Sequence, residues 1–223
     1  MGFFNRSAMG SDRSEQLSAV KKSIKNSGFE MIEIIRKKAP EYVDLLTATT
    51  DAEFESAFDV LLEKAVTHLE TNKTLFCSLD EEGLSAVLVG FLSTPGLAVS
   101  QEKHSNGHVD ITIEADHCSP TRKKLGEAKI YDGPAYHVKG LQQLLGRYTT
   151  GRETRGLLIV YCRKKSIAGL ISKIRKTMDS EFPCKQQGPT VDHLLKWSFL
   201  STHGHASGEN VQVGHIGCNL CTE

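Results

Sequence analysis

The sequence has no apolar run approaching the ~20 residues that a membrane-spanning helix needs. It has no surplus of charge either: Lys plus Arg and Asp plus Glu both number 27. No global field therefore draws in nucleic acid, and any phosphate binding must come from local patches. A secretory leader is missing, and the six cysteines, Cys77, Cys118, Cys162, Cys184, Cys218 and Cys221, are too sparse for a disulfide scaffold. Reduced thiols in a cytoplasm are the expectation. Arg6 stands where the myristoylation pattern needs Ser or Thr, so no lipid anchor is expected. Also absent are a P-loop, a nucleophile elbow, a Gly-X-Gly-X-X-Gly after a strand and a His-Glu-X-X-His, which removes several common enzyme templates. No internal repeat or low-complexity tract appears.

At 223 residues and 39% hydrophobic content the chain can bury a substantial core, as one domain with an extension or two small domains. Residues 1–75 read as an N-terminal helical region. Helical periodicity runs from Ser11 to Lys25 and from Glu30 to Lys38, broken at Gly28 and stopped by Pro40. A further helix from Asp51 to Glu70 carries Phe54, Phe58, Leu61, Leu62, Ala65 and Leu69 on one stripe behind an Asp cap. This layer reads as a scaffold or an oligomer face. Ser78-Leu79-Asp80-Glu81 matches a capping box, opening a helix that buries Leu84, Val87, Leu88 and Phe91.

Residues 76–180 read as the core. A first strand is expected from Gly96 to Glu102. In Val109-Asp110-Ile111-Thr112-Ile113 the aliphatic side chains share one face, which leaves Asp110 and Thr112 on the other. After a turn at Asp116 to Thr121 comes Glu127-Ala128-Lys129, in which Glu127 and Lys129 point the same way. If the two strands pair, Asp110 comes beside Glu127. Two carboxylates and the carbonyl of Ala128 are donors for a hard cation such as Mg2+ or Mn2+. Lys129 would orient a water or neutralise charge building on phosphate oxygens. A helix from Tyr136 to Tyr148 buries Leu141, Leu144, Leu145 and Tyr148, with Lys139, Gln142, Gln143 and Arg147 on its open side. Gly156 to Cys162 is a continuous apolar run, the sign of a strand buried on both faces. A basic amphipathic helix follows from Ser166 to Ser180.

Asp110, then Glu127-X-Lys129, then a helix with Gln143 and Tyr148, resembles the PD-(D/E)XK, or restriction-endonuclease-like, nuclease superfamily, over roughly Ser78 to Arg163. Val109 stands where the family name has proline, and the spacing in QLLGRY is one residue longer than in the helix motif compared. The resemblance implies an α/β fold with an αβββαβ core, a mixed central sheet flanked by helices. It also implies metal-dependent endonuclease action on DNA, in restriction or anti-phage defence, with a structure-specific repair nuclease or a non-catalytic nucleic-acid-binding or assembly subunit as alternatives. In that reading Asp110, Glu127 and the Ala128 carbonyl hold the metal, Glu81 is the extra acidic ligand with Glu82 as its substitute, and Lys129 and Gln143 serve catalysis. Lys139, Arg147 and Lys124 would contact nucleic acid, as part of a basic set that includes Arg122, Lys123, Arg152, Arg155, Arg163, Lys164 and Lys165. Cutting both strands implies a homodimer or larger assembly, and the hazard of a free nuclease points to a regulatory partner protein.

Residues 181–223 read as a β extension. Val211 and Val213, then Ile216, Cys218 and Leu220, alternate like a strand after a hairpin turn at Ser207 to Asn210. His203, His205, His215, Cys218 and Cys221 offer zinc-type ligands, but without a second spaced pair to close a tetrahedron.

Overall fold

Residues 18–19, 27–101 and 110–222 are described in the computed structural model of the protein. Apart from 18–19, which are helical, the expected helix from Ser11 to Lys25 lies outside the described residues, as do Glu102 and Val109 of the two expected strands.

Helices form the first layer: α1, described over 27–38, α2 (Pro40–Thr47), α3 (Asp51–Thr71) and the single turn α4 (Lys73–Phe76). Along α3 the 3.6-residue period buries Phe54, Phe58, Leu61, Leu62, Ala65 and Leu69 on one stripe. Its N-cap is Thr50 rather than Asp51: the Thr50 side chain accepts from Glu53 N, and Glu53 answers with bonds to the Thr49 and Thr50 amides. The next helix, α5 (Glu81–Leu92), is also capped differently from the expectation. Asp80, not Ser78, is its N-cap, taking the Gly83 amide at 2.8 Å. Glu81 is thereby released from any capping duty.

One sheet organises the rest: β1 (Ala98–Ser100), β2 (Ile111–Ala115), β3 (Arg122–Ile130), β4 (Arg155–Cys162), β5 (Val191–Asp192), β6 (Ser198–Gly204) and β7 (Asn210–Asn219), in the order β1-β2-β3-β4-β7-β6-β5. The β3–β4 and β4–β7 pairs are parallel and the others antiparallel. Between β3 and β4 lies α6 (Pro134–Gln143), and after β4 comes α7 (Ile167–Glu181). Two helical layers sandwich this sheet. Leu157, Ile159 and Tyr161 of β4 join the core under α3 and α5, whereas Leu158, Val160 and Cys162 join the one under α6 and α7. That is why β4 reads as unbroken apolar sequence: all eight of its residues are buried.

Several boundaries differ from the expectation: β1 begins at Ala98 rather than Gly96, and β2 begins at Ile111, so Asp110 precedes the strand rather than sitting in it. The helix expected from Tyr136 to Tyr148 starts earlier, because Gly133, at φ 97°, turns the chain into Pro134 at the first helical position. It also stops earlier, since Leu144–Tyr148 is a π-helical turn closed by Thr149 N on Leu144 O at 3.2 Å. The C-terminal hairpin forms as expected, with Ser198 opposite Ile216 and Gly204 opposite Asn210. It does not sit on the core as an added layer. Its second strand, β7, lies directly beside β4, so the extension completes the sheet.

Candidate active site

β3 outruns its antiparallel neighbour. The β2–β3 register ends at Ile111 opposite Gly126, which leaves the residues of β3 beyond it without a strand partner on that side among the described residues. Alternate N–H groups of an extended strand point to one side. Here those of Ala128 and Ile130 turn to the open edge, and each takes a carboxylate in place of a carbonyl. Ala128 N donates to Asp110 Oδ2 at 2.9 Å, and Ile130 N donates to Glu81 Oε2 at 2.9 Å. Leaving such a donor unpaired would cost about 1–3 kcal/mol. Asp110, one residue ahead of β2, and Glu81, in the first turn of α5, thus converge on one stretch of backbone.

Glu127 and Lys129 stand on the α6 side of the same stretch, in alternation with Ala128, which joins the opposite core. The Lys129 ammonium lies 2.6 Å from Glu127 Oε1 and 3.1 Å from Glu81 Oε1, bridging the two carboxylates. Its aliphatic stem runs under Gly140 of α6. A Cβ at that position would sit 3.1 Å from Lys129 Cγ and 3.1 Å from Leu158 Cδ1, so a larger residue would crowd the lysine. The sequence pattern of an amphipathic helix gave no sign that Gly140 was part of the site.

Electrostatics follow from burial. Glu127 is only 1% exposed, and its carboxyl is pushed up to about 7, first by burial and then by the fields of Asp110 and Glu81, against the pull of Lys129. Burial likewise raises Asp110, opposed by the Ala128 N–H bond and by Lys129. For Lys129 burial disfavours the charge, but the hydrogen bond to Glu127 and the fields of Glu127 and Glu81 outweigh it and hold the ammonium above the usual lysine range. One cation thus serves three crowded carboxylates.

Among the described residues no group of three His, Cys, Asp or Glu side chains has the spacing to hold a metal ion as it stands. Lys129 occupies the space between Glu81 and Glu127, and backbone amides engage Asp110 and Glu81. Two features nevertheless fit a divalent cation. Glu127 Oε2 is buried without a hydrogen-bond partner, and burial, joined by the fields of Asp110 and Glu81, raises Glu127. Because the N–H and C=O of one strand residue point to the same side, the Ala128 carbonyl also faces the open edge.

The remaining expected site residues scatter. Gln143, partly exposed, ends α6 three residues beyond Gly140 and makes none of the contacts that hold the cluster. Lys139 is exposed on α6, and Glu82 is exposed beside Glu81. Arg147 and Tyr148 fall in the π-helical turn, with side chains outside the described residues. Lys124 requires a correction: it is no phosphate contact. At 2% exposure it points under α3, with Nζ 2.5 Å from Glu55 Oε1 and 3.2 Å from the Arg155 carbonyl, over the Phe58 ring at 5.1 Å. Arg155, itself buried, binds Glu55 and Asp59, so these residues are a structural ion network. The basic set is consequently split: Arg122, Lys123, Lys124 and Arg155 lie at the opposite end of β3 and β4 from the cluster. Arg163 and Lys164 follow β4 on the cluster's end, and the Arg163 guanidinium donates to the Leu79 carbonyl just before α5.

The tail histidines and cysteines do not assemble a zinc set. Cys218 faces the α3 and α5 core, whereas His215 faces α6. Instead, His137 Nε2 meets His215 Nδ1 at 2.7 Å, His215 Nε2 meets Ser201 Oγ at 2.7 Å, Ser201 Oγ meets His203 Nε2 at 2.6 Å, and His203 Nδ1 meets the Cys184 carbonyl at 3.1 Å. The terminal carbonyl accepts only, so each link must donate toward it, and every imidazole in the chain is a single neutral tautomer. Burial depresses all three histidines, His137 to about 3.

Fold and cluster together define a mixed α/β protein with a buried carboxylate–ammonium cluster at an open sheet edge. No protein-family model, curated protein or solved structure matches the chain.

Proposed function

We propose that the protein is a divalent-metal-dependent deoxyribonuclease with a restriction-endonuclease-like core, acting in restriction or anti-phage defence. The observation that carries this reading is the meeting of Asp110, Glu127 and Glu81 around Lys129 at an edge of β3 that no strand covers among the described residues. The element order α5-β1-β2-β3-α6-β4 supports it as well. Asp110, Glu127 and the Ala128 carbonyl would hold Mg2+ or Mn2+, with Glu81 alongside. A divalent ion there would supply Lewis acidity toward a phosphate oxygen and toward water.

The chain's own residues do the rest. Lys129, kept charged by its carboxylate neighbours, would orient the attacking water through a hydrogen bond and offset charge developing on the phosphorus oxygens. Gly140 clamps the lysine stem, which restricts the ammonium to the cluster. Glu127, poised near neutrality, gives up its proton as a cation arrives. Gln143, Lys139 and Arg147 on and after α6 are the candidates for DNA contact; Lys124 is not. A cytoplasmic location, a homodimer and a restraining partner belong to the same reading, and among the described residues no helix is long and apolar enough to cross a membrane.

A second reading rests on a specific observation. Asp110 and Glu81 already satisfy β3 amides, so the cluster also works as a staple that closes a sheet edge in a non-catalytic binding module. Incubating the pure protein with plasmid and linear DNA, with Mg2+, Mn2+ or chelator, beside Lys129→Ala and Asp110→Asn, separates the two. Metal-dependent cleavage lost in both variants is expected. Absence of cleavage of duplex and single-stranded DNA by the wild type, in either metal, would leave the staple as the better account.

A further inference from the structure

The helical layer carries two features that fit each other but cannot meet within one chain. The first is α1. Phe29, Met31, Ile32, Ile34 and Ile35 are 67%, 57%, 52%, 49% and 38% exposed. The helix ends in the basic run Arg36-Lys37-Lys38. The second is a groove of ≈ 570 Å³ between α2 and α3. Small side chains line it, among them Ala48, Ala52, Ser56 and Ala57, and its exposed acids are Asp44 and Glu53, whereas Glu41 is buried and paired with Lys64. An apolar helix with a basic end matches a shallow groove with an acidic rim, because small residues on α3 let another helix approach closely and the charges are of opposite sign.

Connectivity decides which helix can enter. Only Ala39 separates α1, ending at 38, from α2, beginning at Pro40. Folding a helix back antiparallel onto its neighbour takes a connection of roughly 2–5 residues. The α1 of one chain therefore projects away from its own groove, as its exposure records.

We propose that α1 of one copy docks in the α2–α3 groove of a second copy, and reciprocally, giving a two-fold dimer by helix exchange. Such an exchange is isologous: each chain gives one helix and accepts one, so the assembly closes at two. With about 18 Å of helix in each groove, at ~1.5 Å per residue, the dimer is expected to dissociate in the micromolar range, the range of small transient interfaces. The interface is independent of whether the cluster at β3 is catalytic.

Sedimentation equilibrium on the full chain, across concentrations from about 1 to about 200 μM, tests it. The wild type is expected to dimerise. Ile32→Asp with Ile35→Asp spoils the helix, and Ala52→Trp, at an exposed position, plugs the groove. Each is expected to weaken self-association by more than about a hundredfold. Mixing the two gives a pair weaker than the wild-type dimer but tighter than either variant alone, because only the intact helix of the plugged chain finds an open groove. Simple face-to-face pairing of two α1 helices would leave Ala52→Trp dimeric. A wild type that stays monomeric throughout overturns the proposal; so does an undiminished Ala52→Trp dimer, or a mixture that at about 200 μM associates no more than either variant alone. Circular dichroism checks folding, and Ser56→Arg, also exposed on the groove, takes over the test if Ala52→Trp unfolds.

Discussion

Replacing Glu127 with Gln should stabilise the protein at pH 8 and leave it almost unchanged at about pH 4. Glu127 is 1% exposed, with one oxygen on Lys129 and the other unpartnered. Its carboxyl rises from 4.5 to about 7 despite that ion pair, because burial and two neighbouring carboxylates outweigh it. At roughly 1.4 kcal/mol per pH unit the rise corresponds to about 3 kcal/mol. The folded chain keeps this proton to higher pH than the unfolded chain does. Stability from the group is therefore complete below about 4.5 and is lost as pH rises through about 7. Glutamine has nearly the shape of the protonated acid and never ionises. Its advantage should accordingly open from near zero at about pH 4 to about 3 kcal/mol at pH 8, or about 6–12 °C in Tm for a chain of this size. Thermal melts followed by circular dichroism, for both proteins across this range, read the gap directly. Repeating them with Mg2+ adds the functional arm: the wild type should gain about 2.7 kcal/mol at a hundredfold excess over Kd, and the variant much less. A gap that fails to widen between about pH 4 and pH 8 would refute the claim that Glu127 is held ionised at a cost.

Lys124→Met should cost about 1–3 kcal/mol in urea unfolding, since Glu55 loses one of its two cations and the Arg155 carbonyl loses the Nζ donor, while the salt dependence of DNA binding stays that of the wild type. The histidine chain sets the acid limit. His137, His203 and His215 are depressed by burial, so their contribution is complete above the ordinary histidine value of 6.5 and is lost as pH falls below it toward about 3. Urea midpoints should drop steeply between pH 6.5 and pH 4.5, and His137→Phe should flatten that slope; a pH-independent midpoint would contradict the neutral chain.

Much of this was legible in the residues. The stripe on α3, the unbroken apolar run of β4 and the hairpin of β6 and β7 each follow from a period or a turn inside one segment. So does the shared face of Glu127 and Lys129. The two lysines of β3 mark the limit. Lys124 reads as a nucleic-acid contact within a basic set, yet strand alternation turns it under α3, where Glu55 and the Phe58 ring receive it. Glu81 shows the reverse: with Asp80 as the N-cap, the glutamate is free to reach β3.

Side-chain direction along a strand and the apolar stripe of a helix are properties of neighbouring residues. The sequence by itself therefore determined a mixed α/β chain and which acids and lysine could share a face. Tertiary structure alone decided that β2 stops short of Ala128, that α5 delivers Glu81 to the edge left open, and that β7 rather than another strand flanks β4. Those outcomes depend on register and packing between segments far apart in the chain, which no local pattern encodes.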